Sequence, residues 1–90
     1  MTKVTIYQTP NCVQCRQTKR VLDSKKVVYD VIDLSQHPEH AEMVKELGYT
    51  QAPVVIVTDS NGKTSHWSGF RLGHLDNLAK MIHGEGAKSA

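Results

Sequence analysis

Residues 4–15, VTIYQTPNCVQC, decide the fold of this chain of 90 residues. The segment opens with four β-branched or aromatic residues, which predict a β-strand. A turn follows, and Asn11 is the predicted N-cap of a helix from about residue 12 to residue 25. The strand should therefore deliver Cys12 to the first turn of this helix, with Cys15 one turn further along the same face.

The two cysteines are the only ones in the chain. A disulfide between such close positions removes little loop entropy from the unfolded chain, so the pair is predicted to serve redox chemistry rather than stability. Unpaired N–H groups and the helix dipole favour a thiolate at a helix N-terminus, so we expect a lowered pKa for Cys12 and assign it as the nucleophile. Cys15 is expected to be less exposed and to act as the resolving thiol.

The rest of the pattern predicts three further strands and two further helices. Pro38 suits the first turn of the second helix, and Gly48 ends it. An Asn-Gly pair indicates a hairpin between the last two strands. The predicted strands cover residues 27–34, 53–57 and 63–67, the hairpin turn covers residues 59–62, and the last helix covers residues 72–83.

This order, β-α-β-α-β-β-α, predicts an α/β fold in which the first crossover is parallel and right-handed. We expect the minimal thioredoxin/glutaredoxin architecture, a four-stranded mixed sheet flanked by three helices, because a CxxC near a βαβ unit points the same way. We expect one domain over residues 1–83 and a flexible C-terminal tail over residues 84–90.

Composition excludes several classes of function. The net charge is +2 and both signs are mixed along the sequence, so we expect no nucleic-acid partner. No apolar run approaches the ~20 residues of a membrane span, and the first strand begins too early to leave room for a signal peptide. We therefore expect a cytoplasmic protein with a reduced dithiol, and a monomer as the default state.

Pro53 is the second feature that carries chemistry. It begins a strand that should be central, where a residue without an N–H is tolerated only at the first position. We predict a cis peptide bond between Ala52 and Pro53. That geometry would turn the backbone of Ala52 toward the CxxC and offer an edge to an extended substrate segment.

Three blocks of sequence together resemble the NrdH-redoxins, which are glutaredoxin-like proteins with thioredoxin-like behaviour. The blocks are CVQC at residues 12–15, APVV at residues 52–55 and HWSGFR at residues 66–71. The resemblance implies electron donation to class Ib ribonucleotide reductase and reduction by NADPH-dependent thioredoxin reductase, with no bound cofactor. It also implies a groove for substrate or partner, formed by Tyr7, Val13, Gln14, Ala52, Pro53, Trp67, Ser68, Gly69, Phe70 and Arg71.

Some groove residues have a second interpretation. Tyr7 suits core packing as well as the groove, and Trp67 and Phe70 suit the core at the end of a strand. Thr18 is expected to pack between helices.

The start of the last helix argues against glutathione. Glutaredoxins that bind glutathione hold its ammonium group with an acidic pair, and the matching positions here are Arg71 and Leu72. A guanidinium repels an ammonium group and leucine cannot bind one.

The chain departs from the NrdH-redoxin pattern at two places. Thr9 replaces a basic residue before the CxxC, which either removes part of the expected thiolate stabilisation or shifts the docking of the reductase. Leu72 and Gly73 replace Pro followed by an acid, which weakens the start of the last helix.

Other functions stay open at this level. A glutathione-dependent glutaredoxin or a general protein disulfide reductase would use the same dithiol. A metal or iron–sulfur module would need two chains to share their cysteines, and an interaction domain would leave the dithiol idle. The five histidines, at 37, 40, 66, 74 and 83, are predicted to be solvated, and we expect no metal site.

Overall fold

The computed structural model describes residues 2–89, and the side chains of residues 2–84. Four strands alternate with three α-helices in the predicted order, and a short 3₁₀ helix at Leu34–Gln36 precedes the second helix. The elements are β1 (Lys3–Gln8), α1 (Val13–Ser24), β2 (Asp30–Asp33), α2 (Pro38–Glu46), β3 (Val54–Thr58), β4 (Thr64–Ser68) and α3 (Leu72–Ser89).

The strands form one mixed sheet in the order β2-β1-β3-β4. β1 pairs with β2 in parallel, with Thr5 opposite Asp30, and both remaining pairs are antiparallel. The predicted fold class and topology are confirmed. Because β1 and β2 run in the same direction, the loops that lead into α1 and α2 leave the same edge of the sheet.

The sheet has a core on each face. α1 and α3 cover one face, where Ile6, Leu22 and Leu75 are completely buried. α2 covers the other face, where Val44 packs with Tyr7 and Val54. The apolar strand residues that pack against the helices on both faces therefore stabilise the sheet through the hydrophobic area that they bury.

The hairpin between β3 and β4 closes as predicted. The carboxylate of Asp59 accepts from the N–H groups of Asn61 and Lys63, each at 2.9 Å, and the N–H of Gly62 donates to the Asp59 carbonyl at 3.0 Å. Gly62 has a φ of +84°, which suits a residue without a Cβ.

Two elements, β2 and α3, differ from the sequence prediction by more than one residue at an end. β2 was predicted from residue 27, but pairing with β1 begins at Asp30. Val27 instead packs in the main core from a loop, while Val28 is 88% exposed. The strand ends at Asp33 because its carboxylate accepts from the Ser35 N–H at 2.9 Å and thereby starts the 3₁₀ helix.

The last helix continues beyond its predicted end at His83 and reaches Ser89. The apolar stripe used for the prediction stops at Ile82, so periodicity marks the packed part of α3 rather than its full length. Gly73 does not prevent the helix from starting at Leu72. Among residues 2–89, no helix is long and apolar enough to cross a membrane.

Candidate active site

The dithiol lies where β1 gives way to α1. Cys12 is the N-cap of α1, with φ −100° and ψ 107°, and its sulfur accepts a hydrogen bond from the Cys15 N–H at 3.1 Å. The two cysteines are joined as a disulfide, with their Cα atoms 5.2 Å apart.

Asn11 is not the N-cap, so that prediction is wrong. It has a φ of +58°, a left-handed conformation that asparagine tolerates, and it forms the turn that places Cys12.

The two sulfurs differ in access. Cys12 is half-buried, whereas Cys15 is only 2% exposed and shares the buried face of α1 with Thr18 and Leu22. The prediction that Cys15 is the less exposed cysteine is confirmed, as is the packing position of Thr18. The first turn of α1 contains no acidic residue, so no carboxylate there opposes a thiolate at the N-cap.

The Ala52–Pro53 peptide bond is cis, as predicted. Pro53 comes directly before β3, and the carbonyls on both sides of Ala52 are bound to the end of β4. The Ser68 hydroxyl donates to the Gln51 carbonyl at 2.7 Å, and the Gly69 N–H donates to the Pro53 carbonyl at 2.8 Å. These two bonds fix the cis-proline loop against the turn that precedes α3.

Gln14 connects that turn to the CxxC helix. Its side-chain carbonyl accepts from the Phe70 N–H at 2.9 Å. A Cβ on Gly69 would lie 3.3 Å from the same oxygen, and Gly69 has a φ of +84°, so glycine suits this approach. The Arg71 guanidinium donates back to the Ser68 carbonyl at 3.2 Å. The structure thus brings together most of the residues predicted for the groove.

Trp67 packs in the main core. It is 9% exposed and its ring is stacked on the imidazole of His74, with centroids 4.8 Å apart and an angle of 12°. This position agrees with the core interpretation of Trp67, and its contribution to the groove stays a prediction. His74 remains exposed, as the sequence predicted, although its ring stacks on Trp67 from the first turn of α3. Phe70 is partly buried against the same core.

Tyr7 occupies the core beneath α2. It is 8% exposed and packs with Val44 and Val54, and its ring lies 5.7 Å from that of His40. Burial raises the pKa of its phenol above the ordinary value. The core interpretation of Tyr7 thus describes its position, and its contribution to the groove stays a prediction.

A cavity of about 380 Å³ lies between α2 and the loops of the site. Its lining includes Thr9, from the turn before Cys12, and Ala52, from the cis-proline loop. Val44 and Tyr49 also line it. The cavity therefore offers a mainly apolar recess next to the dithiol.

A mixed sheet that holds a helix-capping CxxC beside a cis-proline loop defines a thiol–disulfide oxidoreductase of the thioredoxin-like class. Residues 4–61 match the Glutaredoxin family, and the chain belongs to that family.

Two relatives and one solved structure show which branch it resembles. The glutaredoxin-like protein NrdH of Escherichia coli K12 is 35% identical over 85 residues, which cover 94% of this chain and 99% of the relative. The NrdH protein of Lactococcus lactis IL1403 is 37% identical over 76 residues, which cover 84% and 99%. The structure of E. coli NrdH-redoxin, which has a thioredoxin-like activity profile, superposes with a TM-score of 0.77 at 37% identity, over 84% of this chain and 93% of that one.

Proposed function

We propose that this protein is a dithiol electron donor to class Ib ribonucleotide reductase and that NADPH-dependent thioredoxin reductase reduces it. The observation that carries the proposal is the half-buried Cys12 at a helix N-cap with Cys15 buried behind it, in a chain similar to NrdH proteins along almost its whole length. The chain binds no cofactor of its own in this scheme, since the electrons pass through the two sulfurs.

The reaction needs both cysteines in a fixed order. The Cys12 thiolate attacks a disulfide of the partner, which breaks that S–S bond, forms a mixed disulfide and releases one partner sulfur as a thiolate that takes up a proton. Cys15 loses its proton and attacks the Cys12 sulfur. This step forms the Cys12–Cys15 disulfide and releases the second partner sulfur, so two electrons have passed to the partner. Thioredoxin reductase then supplies two electrons from NADPH to restore the dithiol.

The partner segment is proposed to bind along the cis-proline loop. Ala52 lies between the two carbonyls that β4 holds, so its backbone is fixed as an edge for an extended peptide. Val13 is 58% exposed beside Cys12, and the cavity walled by Thr9 and Ala52 can take an apolar partner side chain. Gln14, Gly69 and Phe70 shape the opposite side of the groove through the Gln14–Phe70 hydrogen bond.

The beginning of α3 supports thioredoxin reductase over glutathione. The first turn of this helix contains no acidic residue, Arg71 directly precedes it, and Leu72 is 50% exposed. A glutathione ammonium group would meet a cation and an apolar side chain there, with no carboxylate to bind it.

The first test is NADPH consumption with a disulfide substrate, in parallel reactions with thioredoxin reductase or with glutathione plus glutathione reductase. We expect turnover with thioredoxin reductase alone. Turnover with glutathione alone would show that the protein is a glutaredoxin in function. A following assay with class Ib ribonucleotide reductase should show deoxyribonucleotide formation with this protein as the sole electron donor, and its absence would exclude the proposed substrate.

A trapping experiment tests the order of the two thiols. The Cys15→Ser variant should accumulate a mixed disulfide between Cys12 and ribonucleotide reductase, because the thiol that would release the partner is missing. Cys12→Ser is the matched control and should accumulate none. An adduct formed only by the Cys12→Ser variant would reverse the assigned roles.

A further inference from the structure

The start of α2 gathers three metal-ligating side chains that the dithiol chemistry does not use. Within the described residues, one ligand atom each from His37, Glu39 and His40 lies within 4.8 Å of the other two. The Glu39 carboxylate is 3.5 Å from His37 Nδ1 and 3.9 Å from His40 Nε2.

The local backbone explains why these residues converge. His37 and His40 are three positions apart, and neighbours at that spacing share a helix face. His37 is the N-cap, with φ −137° and ψ 79°, so it lies outside the helical conformation directly before the first turn of α2. Pro38 fixes the first helical position between them. The rings of the two histidines meet edge to face with centroids 5.6 Å apart.

We propose that His37, Glu39 and His40 form a binding site for a zinc ion. Two imidazoles and one carboxylate are a known zinc ligand set, in which three protein groups bind the metal and a water takes the fourth position. Nitrogen and oxygen donors of this kind select zinc and similar transition metals over magnesium and calcium.

Two of the three spacings between ligand atoms are close to what zinc requires, and the third is within 4.8 Å. Bonds of about 2.0–2.2 Å at tetrahedral angles place ligand atoms roughly 3.3–3.5 Å apart. The two distances to Glu39, 3.5 and 3.9 Å, are already near that value. The three side chains are between 35% and 67% exposed, so they can rotate to close the remaining gap. His40 also contacts the buried Tyr7 ring, which restrains its imidazole on one side.

The site lies at the edge of the sheet that also holds the dithiol. α1 and α2 follow the carboxyl ends of the parallel strands β1 and β2, on opposite faces of the sheet. The ligands belong to one helix start and include no cysteine, so the proposed binding does not depend on the redox state of Cys12 and Cys15. This independence separates the proposal from a metal held by the dithiol.

The test uses untagged, oxidised protein, whose disulfide removes both thiols as ligands. Calorimetric titration with zinc chloride should show one ion per chain. Glu39→Gln and His40→Ala should each weaken binding at least about tenfold, since even loss of a group that only orients a ligand costs 10–100-fold. His66→Ala is the matched control, because His66 is exposed and contacts Tyr49 rather than this cluster.

Nuclear magnetic resonance provides the second measurement. Zinc should shift the imidazole signals of His37 and His40 and leave those of His66 and His83 unchanged. The proposal is overturned if no saturable binding of one ion occurs, if the cluster variants bind as tightly as the unaltered protein, or if His66→Ala weakens binding as much as they do.

Discussion

Thr18→Val should stabilise the protein, although it removes a polar group from a helix. The Thr18 side chain is completely buried, and within the described residues its hydroxyl has no hydrogen-bond partner. A buried hydroxyl without a partner costs about 1–3 kcal/mol in mutational studies. Valine has the same branched shape and nearly the same helix propensity, so the substitution changes little else. We expect a gain of about 1–2 kcal/mol in the free energy of unfolding.

Thermal unfolding of the oxidised protein measures this gain. For a domain of this size, each kcal/mol raises the Tm by about 4–8 °C. Thr18→Ser is the matched variant, because it keeps the hydroxyl and deletes the methyl group, and it should lose about 1 kcal/mol. A Thr18→Val protein that is less stable than the unaltered chain would refute the reasoning, since it would mean that the hydroxyl makes a stabilising hydrogen bond in solution.

Three further predictions concern the site and its surroundings. Gln14→Ala should lower the free energy of unfolding by about 1 kcal/mol, because the loop before α3 loses its hydrogen bond to α1; chemical denaturation measures this, and an unchanged midpoint would contradict it. Burial, together with a hydrogen bond to Asp23, raises the pKa of Tyr29 to about 12. Because the folded state then keeps a proton that the unfolded chain loses near pH 10, stability should fall as the pH rises through this interval, and Tyr29→Phe should flatten that fall in alkaline denaturation; an unaltered slope would exclude the linkage. Thr9→Lys should increase the Cys12 thiolate fraction of the reduced protein at neutral pH, measured by thiolate absorbance, whereas Thr9→Gln should leave it unchanged; equal titration of both variants would defeat this expectation.

The fold could be predicted because its local signals agree with its topology. The strand pattern at residues 4–7, the CxxC and the Asn-Gly turn each favour one local structure. The preference for right-handed crossovers between parallel strands then limits how the strands connect. These local signals depend on neighbours in sequence, which the chain itself displays. The cis bond before Pro53 could be predicted only from the fold that they define, because that fold brings the start of a central strand close to the CxxC.

The errors concern residues whose local signal has two physical causes. Asn11 suits an N-cap and also a left-handed turn, and only the chain geometry decides in favour of the turn, with φ +58°. Val28 is β-branched, as strand residues are, but it lies in the loop before β2. For Trp67 and Tyr7, which are large amphipathic rings, the residue type left both a core and a groove position open, and the pleat of the sheet places both in the core.

The hydrogen bond from the Phe70 N–H to the Gln14 side chain shows that the CxxC helix also holds the loop before α3 in place, in addition to carrying the two sulfurs. Gln14 lies between the two cysteines, and its partner turn also holds the cis-proline loop through Gly69. The three sequence blocks that resemble NrdH-redoxins therefore form one connected unit in which α1, the proline loop and the start of α3 fix each other. A substitution of Gln14 is consequently expected to alter the proposed partner groove as well as the chemistry of the dithiol. Its effects on reduction potential and on partner affinity need to be measured separately before either is assigned to the sulfurs.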